Sequence, residues 1–282
     1  MGDPARDHGP RCVLCRWQCA GVKWRRLLLS NGALSVWSVL VVLVLWEIAG
    51  HLEVSFMLPP LSDVISAMVD VWGRSDVQQS VLDTARSLAI GFTMAITGGI
   101  AVGLLMGRFR VAEWAFDMYV NLFLSLPLIA LIPIFLLLFG FGERAVIAIV
   151  VVYTFFVVVV NTFTGVRSVD NSLVEMAESF GAREHQLVRR VVLPAALPLM
   201  LTGVRIGVGR SIKGIIIAEQ VVGLVGIGGL IQRYGGAFQI EELYAIIIPI
   251  GLFGLLAMES VRVMEWYALP WIRHREVSAA AE

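Results

Sequence analysis

Six stretches of this chain, at about residues 32–50, 86–107, 112–139, 144–165, 197–220 and 243–264, are apolar enough to cross a bilayer. A spanning helix needs roughly 20 mainly apolar residues. Inside hydrocarbon every backbone N–H and C=O must find its partner within the protein, which leaves only helices and closed barrels. None of the six stretches alternates with the period of two that a barrel strand requires. The expected fold is therefore an all-α polytopic membrane protein with six transmembrane helices. Composition agrees, since 58% of the 282 residues are hydrophobic and 16% are charged, whereas soluble domains carry about 25% charged residues. The third stretch holds Pro127 and Pro133, which predicts a kink or a break there.

Lys and Arg concentrate on the cytoplasmic side of membrane proteins and so set the orientation. Arg6, Arg11, Arg16, Lys23, Arg25 and Arg26 precede the first stretch. Arg108 and Arg110 follow the second, Arg167, Arg183, Arg189 and Arg190 follow the fourth, and Arg273 and Arg275 follow the sixth. The opposite loops hold Arg74 and Arg233, with Arg86 and Arg144 at span edges. Both termini are expected in the cytoplasm. The organisation expected is a basic cytoplasmic tail (1–30), a first span with an external connector (31–85), a transmembrane core (86–268) and a cytoplasmic C-terminal tail (269–282). Glycines at 99, 103 and 107, and again at 203 and 207, predict close helix packing where lipid supplies no hydrophobic drive.

Several chemistries are excluded. Cys12, Cys15 and Cys19 all sit in the basic tail and lack a fourth ligand at metal-site spacing, so neither a disulfide framework nor a metal centre is expected. The four histidines fall in tails and loops and build no Ser/His/Asp or Cys/His arrangement. No G-x4-G-K-[ST] phosphate loop is present, so ATP chemistry linked to this chain must reside in another polypeptide. Nothing suggests a nucleic-acid partner.

Between the fourth and fifth stretches lies a polar segment, 171–194. Ser172 followed by Glu175 is a capping-box pattern that predicts a helix start. That helix is expected to end at Phe180, with Gly181 taking the left-handed cap. A second helix, about 184–192, is predicted to stop before Pro194. Phe180, Leu187 and Val191 are expected to form an apolar seam, leaving Glu175, Glu178, Arg183 and Arg189 free for a partner.

The spacing Glu175-x-Ala177-x3-Gly181-x9-Val191-x-Leu193-Pro194 resembles the "EAA" loop of permease subunits of bacterial ABC importers. Met176 stands where a second alanine is usual, a mild change because Met is a good helix former. Trp46-Glu47-Ile48-Ala49, Leu58-Pro-Pro-Leu-Ser-Asp63, Pro127-Leu-Ile-Ala-Leu-Ile-Pro133, Phe139-Gly-Phe-Gly142 and Leu269-Pro-Trp271 are similar to the nitrate/sulfonate/taurine branch. Residues 232–240, with Tyr234-Gly235-Gly236, match that branch less well. The resemblance implies an inner-membrane permease that is not itself an enzyme. Its 171–194 hairpin would seat in an ATPase subunit through Glu175, Ala177, Glu178, Gly181, Ala182, Arg183, Leu193 and Pro194. The chain would need no cofactor, ATP and Mg being bound by the ATPase partner. Other implied partners are an extracytoplasmic solute-binding protein, a second permease subunit (the same or a similar chain) and the bilayer. The implied cargo is a small solute such as a sulfonate, taurine, nitrate or bicarbonate. Alternatives are a vitamin or pyrimidine precursor, or an ion-gradient-driven carrier, although the inverted repeats of such carriers are not visible.

The fifth stretch carries Arg205, Arg210, Lys213 and Glu219. A cation near mid-bilayer costs about 2.5–3.5 kcal/mol on insertion scales, so these side chains should face protein or water. Arg210 and Lys213, with Ser125, Pro127 and Glu219, are candidate path residues. The competing expectation is structural pairing with Glu259 or Glu265 of the last stretch.

Overall fold

A computed structural model describes residues 31–223 and 226–268, with side chains from residue 36 to residue 267. The basic tail with its cysteines and the Leu269-Pro-Trp271 motif lie outside the described residues. Contacts divide the chain into two units, with the boundary between residues 65 and 66.

The first unit contains α1 (Asn31–His51) and the start of α2 (Leu61–Trp72). Here the Leu58-Pro59-Pro60 turn folds back on the end of α1. Trp46 Nε1 donates to the Pro59 carbonyl at 3.0 Å, and a Cβ on Gly50 would lie 2.6 Å from Pro60. Glu47, which interrupts the apolar run, accepts the Ser62 N–H at 3.1 Å. A carboxylate at the start of α2 satisfies a backbone donor that the helix itself leaves open.

The second unit is an all-helical bundle built around α6 (Glu143–Arg167). On one side lies α3 (Ser75–Arg108), whose small residues Gly91, Ala95, Gly99 and Gly103 recur every four positions and are buried. They receive Val150, Val158 and Thr162 of α6. A Cβ on Gly103 would meet Thr162 Cβ at 2.6 Å, and one on Gly107 would meet Val166 Cβ at 2.5 Å. On the other side lies α9 (Leu193–Val222), where a Cβ on Gly203 would sit 2.6 Å from Asn161 Cβ. The glycine spacing thus gives two ridges closing on one central, β-branched helix, as ridge-into-groove packing requires.

Around this core, α4 (Arg110–Ser125) and α5 (Leu128–Phe139) are bent by 108° at the Leu126–Pro127 step. Leu126 is extended (φ −74, ψ 140), as a residue ahead of proline must be. The break therefore belongs to Pro127, while Pro133 stays inside α5. α10 (Gly226–Gly236) packs Ile227, Leu230 and Tyr234 on Val71, Val77 and Ile246. α11 (Ile240–Ala268) lies on α9 through Val261, Val204 and Val208.

Among the described residues, four helical runs are long and apolar enough to cross a membrane: α3, α6, residues 184–222 and α11. The α4–α5 pair makes a fifth if it is one broken span, and the described apolar part of α1 is shorter. α3 begins at Ser75, so the line drawn at residue 85 falls inside a helix. Leu137 of α5 and Leu255 of α11 are 86% and 68% exposed, an ordinary outer face for a protein bathed in lipid.

Candidate functional site

The 171–194 segment folds as a helical hairpin, α7 (Asn171–Ser179) and α8 (Glu184–Leu187), at one end of the bundle. Its first cap is not the expected one. Asp170, not Ser172, is the N-cap, accepting the Ser172 N–H at 2.9 Å. This bond holds the exposed Asp170 carboxyl below its ordinary carboxylate value. The turn matches expectation. Gly181 is left-handed (φ +77), Ala182 N–H reaches the Ala177 carbonyl and Gly181 N–H reaches that of Glu178. These two bonds form a Schellman close, which a β-carbon would strain. Gln186 Oε1 then accepts the Arg183 N–H at 3.0 Å and starts α8.

Pro194 does not end the second arm. Residues Val188–Val192 form a π-helical segment that runs into α9, with Leu193 N–H bonded to the Val188 carbonyl. Proline lacks an N–H and its ring crowds the carbonyl four residues back. Widening the preceding turn to an i→i+5 pattern relieves both problems, so the helix passes through. The arm is thereby continuous with a 39-residue run, Glu184–Val222.

The expected seam also differs. Leu187 and Val192 are buried against Val166, Ala196 and Met200, with Val191 packed alongside. Phe180 is outside that seam and 86% exposed. With Leu173 and Met176 it forms an exposed apolar stripe along α7, at positions i, i+3 and i+7. Glu175, Glu178, Gly181, Arg183 and Pro194 are exposed, and Ala177, Ala182 and Leu193 are half-buried. Sequence reasoning missed Leu173 and Met176. The clue was Met176 itself, the one departure from the loop pattern.

The charges of the long helix have separate fates. Arg205 Nη1 pairs with Glu265 Oε2 at 2.8 Å and Arg262 with Glu259, so both carboxylates expected to compete for Arg210 and Lys213 are taken by other arginines. Arg210 and Lys213 are exposed and make no ion pair or hydrogen bond among the described residues. Glu219 is 1% exposed at the opposite end of the bundle from the hairpin. Thr84 Oγ1 donates toward both its oxygens at 2.8 and 2.9 Å, and Gly228 N–H donates to one at 2.9 Å. Ile227 N–H completes the cluster by donating to Thr84 Oγ1. A side chain at Gly226 or Gly228 would collide with Glu219. Ser125 and Pro127 are exposed at the α4–α5 break, where Ser125 Oγ donates to the Asn121 carbonyl.

Residues 95–272 match the binding-protein-dependent transport system inner membrane component family. The chain belongs to this family. It is a permease subunit of an ABC importer, a multi-pass inner-membrane transport component without catalysis of its own. Among its relatives is the taurine transport system permease of Escherichia coli, 29% identical over 263 residues covering 91% of this chain and 95% of the other. Another is the formylaminopyrimidine transport permease of Halalkalibacterium halodurans, 30% identical over 233 residues covering 82% and 93%. In solved structures the fold is similar to an inward-facing MetNI methionine ABC transporter. The TM-score is 0.57 and the identity 20%, over 66% of this chain and 93% of that one. As a permease subunit of this family, the chain belongs to a complex that includes an ATPase and a binding protein.

Proposed function

We propose that this permease forms half of the path of an importer for a small anion, and that the 171–194 hairpin is where its ATPase partner docks. Six spans complete the reading, with the first supplied by α1 and the third by the broken α4–α5 pair. Both termini and the hairpin lie in the cytoplasm, on the side rich in Arg and Lys.

One observation carries the docking assignment: a folded hairpin, locked at Gly181, leaves Leu173, Met176 and Phe180 bare beyond the end of the spans. Amphipathic helices of this kind seat in apolar grooves through i, i+3 and i+7 anchors. Glu175, Glu178 and Arg183 surround the stripe as a polar rim. ATP binding by the partner would push the hairpins of two permease subunits and rock the spans between their two access states.

The anion reading is supported by Arg210 and Lys213, which stand exposed on a spanning helix. In lipid these would be costly; at an interface between two permease subunits they would line a watered path. The taurine relative is consistent with an anionic group on the cargo, and the formylaminopyrimidine relative is the reason a pyrimidine precursor is kept as the second reading.

The docking assignment is tested with Phe180→Cys, in a chain whose native cysteines are replaced by serine, co-expressed with its ATPase. Cross-linking to the ATPase by a short thiol-to-amine reagent is the expected result. Cross-linking to no ATPase, with the introduced thiol still reactive to maleimide, would remove the assignment.

A further inference from the structure

We propose that Arg108, the last residue of α3, is the positioning residue that ties the hairpin to the body of the permease. The inference rests on the coupling role given to the hairpin above, and concerns how movement there reaches the spans.

The two arms of the hairpin are held unequally. The second arm is anchored by Leu187 and Val192. The first arm, α7, has no fully buried residue and touches the body through Val174 and Ala177. Beneath it lies a cavity of about 410 Å³ lined by Gly107, Arg108, Val166, Arg167, Asn171 and Val174, among others. Packed interiors resist displacement because they hold few voids. α7 stands over a partly open cleft rather than a packed interior and has room to yield.

Arg108 closes this gap with one side chain. Its Nη2 donates to Glu184 Oε2 at 2.9 Å and its Nε to Glu184 Oε1, a two-pronged grip on the first residue of the second arm. The same Nη2 lies 3.6 Å from Glu178 Oε1, near the end of the first arm. A single guanidinium therefore holds both sides of the Gly181 turn, a task suited to its rigid fork of donors. Among the described residues these are the only ion pairs between the hairpin and a spanning helix. Arg167, the other arginine at the cavity, faces Glu113 of α4 at 3.6 Å instead.

What lies behind Arg108 makes the grip consequential. One residue earlier, Gly107 presses its backbone on Val166, and Gly103 does so on Thr162, leaving no slack between α3 and α6. A push on Phe180 that moves Glu178 and Glu184 must then carry the end of α3 with it. Without Arg108 the same push would tilt α7 into the cavity, and what reached the spans would pass along the second arm rather than into α3. The three partners are 30%, 53% and 50% exposed, and ion pairs that exposed contribute little stability. Removing the grip should alter transmission more than folding.

The test uses the assembled complex in liposomes, with native cysteines replaced and a nitroxide on Ala85→Cys, in the half of α3 remote from the hairpin. In the parent, ATP with vanadate is expected to shift the nitroxide spectrum. In Arg108→Ala the ATPase should stay bound and hydrolyse ATP at a rate within about twofold of the parent. The shifted fraction should fall at least about fivefold, the lower end of ordinary coupling energies. The conservative exchange Arg108→Lys keeps a cation between Glu178 and Glu184 without the forked geometry, and should restore much of the shift. The inference is overturned if the shift survives in Arg108→Ala, if the exchange restores nothing, or if α3 shows no shift in the parent. Should Arg108→Ala fail to accumulate, Glu184→Gln opens the same grip from the other side and is read in the same way. Cross-linking at Phe180→Cys separates the two ideas. Its absence in the parent defeats the docking assignment, whereas its presence with an unchanged shift in Arg108→Ala defeats only the role of Arg108.

Discussion

At Gly103 and Gly107 the α3 backbone lies against α6 side chains with no room for a β-carbon. Gly107→Val should therefore overpack the contact and cost about 1–3 kcal/mol, seen as a lower thermal midpoint in detergent. Gly251→Ala is the control: nothing lies within 4 Å of the added carbon, and alanine is the better helix former by about 1 kcal/mol. Its midpoint should hold or rise. Glu219 is the other single residue on which much depends. Glu219→Leu would strip the Gly228 N–H of its acceptor, a loss of about 1–3 kcal/mol when a buried donor is left unpaired. Glu219→Gln keeps one acceptor and should be milder. Amide exchange at Gly228 should accelerate in the leucine variant and much less in the glutamine variant.

The hairpin shows how far an element can be read in advance. Gly181 as a left-handed close was visible in the sequence because only one residue type takes that backbone conformation cheaply. The N-cap was not: Asp170 and Ser172 are both good caps, and only the path of the chain leaving α6 decides between them. Asp170 gives a pH prediction. Its carboxyl is lowered in the folded state by the Ser172 N–H, so its contribution to α7 is complete above the ordinary carboxylate value. That contribution is lost as pH falls through the lowered one. Exchange of the first α7 amides should quicken in acid, and Asp170→Asn, which keeps an acceptor that does not titrate, should flatten that response. Pro194 misled for a local reason. A proline forbids one α-helical hydrogen bond, but a π turn supplies another register.

For the molecule as a whole, the unsettled charges are the informative ones. Arg205 has its partner in Glu265 and Glu219 its cluster. Arg210 and Lys213 are left facing outward on a helix that must cross lipid. A second permease subunit on that face would resolve the cost and concentrate positive charge along one path. Replacing both residues by glutamine, in complexes that still assemble and hydrolyse ATP, should lower uptake of labelled taurine or methanesulfonate, whichever the parent carries. A reduction of about tenfold or more would correspond to at least 1.4 kcal/mol of lost favourable charge interaction. Unchanged uptake would return the anion path to an ordinary pore lining.

Apolar run length, the Arg and Lys asymmetry and the 171–194 spacing were enough for membrane class, an expected orientation and the family resemblance, because each depends on local chemistry repeated along the chain. Glycine spacing also revealed that helices would pack closely, though not which ones. Tertiary structure alone decided that α6 is the shared partner of both ridges, that Phe180 faces outward while Leu187 faces in, and that Arg108 meets Glu184 across 76 positions of sequence. Those facts depend on which surfaces meet, and a contact between distant segments leaves no periodic trace in either one.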